Sequence, residues 1–158
     1  MTTIQILLFF HILGSFMIAA GAGLGEVTLA GMRRSRSTTA ILALANAGSR
    51  VPMLTITGAL ITIITGSWLV SVTGQSFGAP WVSMTYLVWI LSMALSAAIL
   101  GPAETKLHAL AVAENAAGRE ESPALIAAVA DMKVMITTHV LSLMVIVFIA
   151  LMVFKPGA

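Results

Sequence analysis

The chain contains no cysteine, which excludes disulfides, thiolate metal sites and iron–sulfur clusters. Charge is scarce too: Asp, Glu, Lys and Arg make up 9% of its 158 residues, against about 25% in a soluble domain. There is no glycine-rich phosphate loop, no paired-histidine zinc motif and no nucleophile elbow. Eight basic residues against six acidic leave a net charge of +2. That excess is small and clustered, so it carries no signature of nucleic-acid binding. What the chain has in quantity is apolar surface, at 59% of residues. The expected partner is a lipid bilayer, and no catalytic residue can be assigned.

Crossing about 30 Å of hydrocarbon takes around 20 apolar residues. Four runs qualify, near 4–31, 51–73, 81–102 and 134–154. The first is not a cleaved signal by pattern, because Arg33, Arg34 and Arg36 follow the apolar run instead of preceding it. Arg33, Arg34, Arg36, Arg50, Lys106, Arg119 and Lys133 lie in the connections after the first and third runs, against only Lys155 on the other side. The positive-inside rule then places both termini outside and both long connections in the cytoplasm. The expected fold is all-α: one four-helix up-down transmembrane bundle with a cytoplasmic helical hairpin between the third and fourth spans.

Several residues stand out within this frame. In the first span His11, Gly14, Ser15, Ile18, Ala22, Gly25 and Glu26 fall within roughly 60° of one direction. Gly21-x-x-x-Gly25 at the edge of that side fits the small-xxx-small contact pattern. A histidine and a carboxylate are expensive in hydrocarbon, so both should face protein or a wet cavity. His11 reads either as a functional group or as a buried structural hydrogen bond; Glu26 reads as structural. Thr38 to Ala47 is a short apolar helix at the inner interface, and Ser49 is placed to cap the second span with Pro52 in its first turn. Arg50 then lies near the level of Glu26, which makes a Glu26–Arg50 ion pair the expectation, with a snorkelling arginine as the alternative. Thr55, Gly58, Thr62, Thr65 and Gly66 share one side of the second span and read as a helix-contact surface, with a polar ligand channel as the alternative. Trp89 reads as packing or as an aromatic wall beside a flat cofactor. Glu104 and His108 fall in the hairpin, with His108 as a solvated surface residue.

His139 in the fourth span shares its side with Met132, Met135, Ser142, Leu143, Ile146 and Ala150, and like His11 it should face inward. The two imidazoles enter from opposite membrane faces, and at 1.5 Å per residue their levels differ by roughly 10–20 Å. One metal shared between them is therefore disfavoured. Ten methionines are scattered without a tight cluster, which fits packing better than a copper site. No metal site is assigned.

The stretch Leu8-Phe9-Phe10-His11-Ile12-Leu13-Gly14 resembles the opening of a family of small bacterial integral membrane proteins of uncharacterised function. Thr65-Gly66-x-Trp68-Leu69, Gly78-Ala79-Pro80-Trp81 and Gly101-Pro102 look like the later pattern of the same family. That family is distantly similar to copper-resistance D-type membrane proteins and to haem-associated membrane protoporphyrinogen oxidases, whose early histidine maps onto His11. Ile18 and Glu26–Val27 stand where the oxidases carry a tryptophan and then an arginine, so nothing beyond His11 carries over. The resemblance implies a multi-pass protein of the bacterial cytoplasmic membrane. Two functions follow as expectations: haem b or a metal held inside the bundle through His11, with His139 and Trp89 as further cofactor-binding candidates, or a non-catalytic subunit or scaffold. The latter would pack through small-residue helix faces in a homo-oligomer or larger membrane complex.

Overall fold

A computed structural model describes residues 2–157. Its first helix, α1 (Thr3–Arg34), starts from a reciprocal cap in which Thr2 and Gln5 satisfy each other's free amides. It ends with Arg33 and Arg34 in its last turn, where positive charge suits the exposed carbonyls. Helix α2 (Thr38–Gly48) is capped by Ser37. Helix α3 (Val51–Val72) has Pro52 in its first turn as expected, but Ser49 does not cap it. Ser49 Oγ instead donates back to Asn46 O at 2.8 Å, closing the end of α2.

Helix α4 (Pro80–Leu95) passes through a π-helical turn, Ser96–Leu100, into α5 (Gly101–Ala116). The wide turn has a covalent cause. Pro102 has no N–H to give, and Gly101 donates instead to Ser96 O, five residues back. Helix α6 (Pro123–Val129) is short, and the chain then breaks. Asp131 caps a new helix, α7 (Met132–Phe154), by accepting from Lys133 N at 2.8 Å. The run from Pro123 to Phe154 is thus two helices. Among the described residues there is no strand, only an isolated bridge between Ser37 and Glu121. Four helical runs are long and apolar enough to cross a membrane: Thr3–Arg34, Thr38–Val72, Pro80–Ala116 and Pro123–Phe154.

The most extensive contact in the molecule joins α1 to α3. Gly14, Gly21 and Thr28, seven residues apart, form the α1 side. A Cβ on Gly14 would lie 2.5 Å from Thr62 Oγ1 and 2.8 Å from Gly58 O; one on Gly58 would lie 2.7 Å from Gly14 O. Gly21 meets Thr55, and Gly48 meets Thr28. As numbers rise along α1 they fall along α3, so the two helices run antiparallel. Absent side chains let the backbones close in, as small residues do between membrane helices. The threonine- and glycine-rich side of α3 is therefore a helix contact, as read from sequence. Gly21-x-x-x-Gly25 is not: nothing lies within 4 Å of a Cβ at Gly25.

Most hydroxyls along these helices bond to the carbonyl one turn back, among them Thr55 to Val51 O, Ser67 to Ile63 O and Ser92 to Val88 O. Such back-bonding satisfies a polar group where no water is at hand. Helix α7 packs on α1 and on α4, with Ser92 Oγ on Met144 Sδ at 3.1 Å and Trp81 clustered with Met152.

At the end of α1 that carries the arginines, α2, α5 and α6 build a separate core from Met32, Ile41, Ala45, Ala111, Leu125 and Val129. Thr38 N donates to Glu120 O at 2.9 Å and Thr39 Oγ1 to Asn115 Oδ1 at 3.1 Å, tying α2 to the turn after α5. The expected hairpin is thus folded against α2. His108 is part of that closure: its half-exposed ring places Nε2 2.7 Å from Asn46 Oδ1.

Candidate functional site

Two polar sites lie along α1. The first is His11, half-buried against α3, with Nδ1 at 3.1 Å from Thr62 O and 3.4 Å from Thr65 Oγ1. A carbonyl only accepts, so Nδ1 carries a proton, and in a neutral ring the lone pair is then on Nε2. Room for the ring exists because residue 66 is glycine: a Cβ there would lie 2.8 Å from His11 Cε1. Histidine and glycine interlock in the α1–α3 seam.

The second site joins α1 to α7. Glu26 Oε1 accepts from His139 Nδ1 at 2.9 Å and from Ser142 Oγ at 2.8 Å. The histidine side chain is 59% exposed and the glutamate 28%, so His139 does not face inward as expected but lies at the rim of a groove. That groove has a volume of about 280 Å³ and is lined by Glu26, Leu29, Ala30, Arg33, Arg34, Met135 and His139.

The expected Glu26–Arg50 ion pair is not among those of the described residues, which are Arg119–Glu114 and His139–Glu26. Helical geometry explains the exchange. The α3-facing line of α1 runs through Gly14, Gly21 and Thr28, and Glu26 lies two positions before Thr28, about 200° round the helix. It therefore faces α7, while Arg50 precedes α3 on the opposite side. Ser142 is the partner that sequence reasoning missed. It lies three residues after His139, close enough for both to reach one carboxylate.

His11 and His139 are not brought together. The carboxylate that holds His139 is fifteen residues beyond His11 on the same helix, about 22 Å along it. Among the described residues no three His, Asp or Glu side chains form a metal-holding group. Trp89, the third cofactor candidate, has its indole Nε1 buried without a hydrogen-bond partner, as does Trp81.

No curated protein and no solved structure matches the chain. A family model described as "Predicted integral membrane protein (DUF2269)" matches residues 5–156. With four helices able to cross a bilayer and polar groups turned onto one another, the chain belongs to that family of integral membrane proteins.

Proposed function

We propose that this protein is a non-catalytic subunit or scaffold of the bacterial cytoplasmic membrane. Its spans run up and down, both termini lie outside, and the α2–α5–α6 core lies on the cytoplasmic side, where seven of the eight Lys and Arg residues fall. One observation carries the reading. His11, the residue on which a cofactor function rests, is engaged within the chain by the Thr62 carbonyl and the Gly66 gap. The glycines that would make a small-residue oligomer face, Gly14, Gly21, Gly58 and Gly66, are likewise closed on side chains or backbone of the same chain. Contacts with other copies or other subunits fall instead to α7, whose run is the least covered of the four, with 6% of its apolar window buried against 17–22% elsewhere.

The haem reading rests on His11 Nε2, since metal-bound imidazoles also give their other N–H to a carbonyl or carboxylate. One experiment separates the two. Detergent-purified protein should show no Soret absorption. His11→Ala should lower the melting temperature by the loss of one buried helix–helix hydrogen bond, about 1–2 kcal/mol, without spectral change. A Soret band that vanishes in His11→Ala would overturn the scaffold reading.

A further inference from the structure

Helix α7 turns one side to the rest of the chain and one side away from it. On the side packed against α4, Thr137 is buried, Met144 takes the Ser92 hydroxyl and Met152 joins Trp81. His139 lies two positions past Thr137, about 200° round the helix, and its side chain is 59% exposed. Met132, Ile146 and Val153 fall on the same line at intervals of seven, and Ile136 and Leu143 lie between them; all five are exposed. That is the alternating 3–4 repeat through which two parallel helices meet. One polar ring interrupts the line. Histidine in a span is costly unless protein or trapped water covers it, yet here it stands in the middle of an outward apolar side. Lys133 lies near the start of α7, and His139 is six residues further along, about 9 Å deeper. Its Nδ1 donates to Glu26 Oε1 at 2.9 Å, and Nε2 meets none of the described residues.

We infer, resting on the subunit reading above, that α7 packs in parallel on α7 of a second copy of this chain, with the two His139 rings facing each other. Copies that obey the same charge rule insert the same way round. A two-fold axis along the membrane normal then sets each residue of α7 level with its own counterpart. A second copy therefore brings a polar ring to the depth of His139, on a side where lipid chains bring none. The two rings complement each other through one added proton. With Nδ1 given to Glu26, Nε2 of a neutral ring accepts, so a single proton between the two Nε2 atoms makes the bond. The Glu26 carboxylate at each ring offsets the added charge. A lone polar residue in an apolar helix seam fixes register and pairing in this manner.

Because the chain has no cysteine of its own, single-cysteine variants of the full chain, oxidised in native membranes, report which faces meet. Leu143→Cys, Ile146→Cys and Val153→Cys should form covalent dimers about tenfold faster than Ile149→Cys, since a disulfide needs Cα atoms within about 7 Å. The same excess is expected over Phe16→Cys and Ile64→Cys, which are just as exposed on α1 and α3. Adding His139→Leu to the Ile146→Cys chain should slow its cross-linking about threefold, the size of one hydrogen bond between membrane helices. His139→Gln, which again offers a donor and an acceptor, should restore the rate. Cross-linking along the α7 line no faster than at the control positions would overturn the inference, and so would a His139→Leu chain that cross-links as fast as its parent. The absorption spectrum separates this failure from that of the subunit reading. Colourless protein without α7 cross-links loses the dimer and keeps the subunit, whereas a Soret band that vanishes in His11→Ala removes the subunit reading itself.

Discussion

At the arginine end of the molecule Ile41, Ala111 and Leu125 are at most 1% exposed, while along the spans Phe16, Ile64 and Ile146 are 69%, 61% and 62% exposed. The first region carries its own interior, made by α2, α5, α6 and the end of α1. The second leaves its apolar exterior to the bilayer and spends its close contacts on one seam. In lipid there is no hydrophobic gain from pressing one greasy helix on another, so packing fit and internal hydrogen bonds decide. The α1–α3 seam of glycines and the His11–Thr62 bond have that character. The other core closes on large side chains buried among α1, α2, α5 and α6.

Three experiments would break or sharpen this contrast. The largest effect is expected from Leu125→Ala, which empties a fully buried position and should cost about 2–5 kcal/mol. Hydrogen exchange should rise through α2, α5 and α6 while the α1–α3 amides keep their protection; equal loosening of both regions would show that they are one cooperative unit. Next is Gly58→Val, whose new side chain would meet Gly14 O and Met17 Cβ, at 2.7 and 2.8 Å from its Cβ alone. Overpacking there should cost about 1–3 kcal/mol in detergent melting. Gly25→Ala, facing open space, should stay within about 0.5 kcal/mol. Similar losses in the two variants would dissolve the seam as an explanation.

The smallest effect concerns the turn after α5, outside the spans. Arg119 donates to both oxygens of Glu114, at 2.6 and 3.0 Å, and together with the Ser122 hydroxyl holds that carboxyl below the usual carboxylate range. A lowered folded value means that the contribution is present above the ordinary glutamate range and fades as pH falls through the folded value. Amide exchange at 117–122, corrected for its intrinsic pH dependence, should therefore quicken at acid pH in the parent and show no such step in Glu114→Gln. An identical step in the variant would assign it to another group.

Much of this architecture could be read from the chain alone. Uninterrupted apolar runs mark the four spans, and the α3 helix contact follows from Thr55, Gly58, Thr62 and Gly66 falling on one side. The separation of His11 from His139 followed from counting residues along each span. What was not legible depended on distant partners. Glu26 lies near the level of both Arg50 and His139, and only the direction of the α1–α3 seam decides between them. Asp131 gave a local sign of a helix start, masked by the apolar periodicity on both sides. The docking of α5 on α2 was hidden because an alanine-rich helix shows a weak apolar stripe, and Asn46, the partner of His108, lies sixty-two residues away.

The wide turn at Ser96–Leu100 lodges one additional residue in the helix that leaves the third span. Each residue of an α-helix turns the chain by about 100°, so this insertion sets the azimuth at which α5 departs. With Pro102 in the first turn of α5, Leu107 and Ala111 face the α2 core at Ile41. Among the joints between spans and module, this is the one whose extra residue fixes which side of α5 is turned to α2.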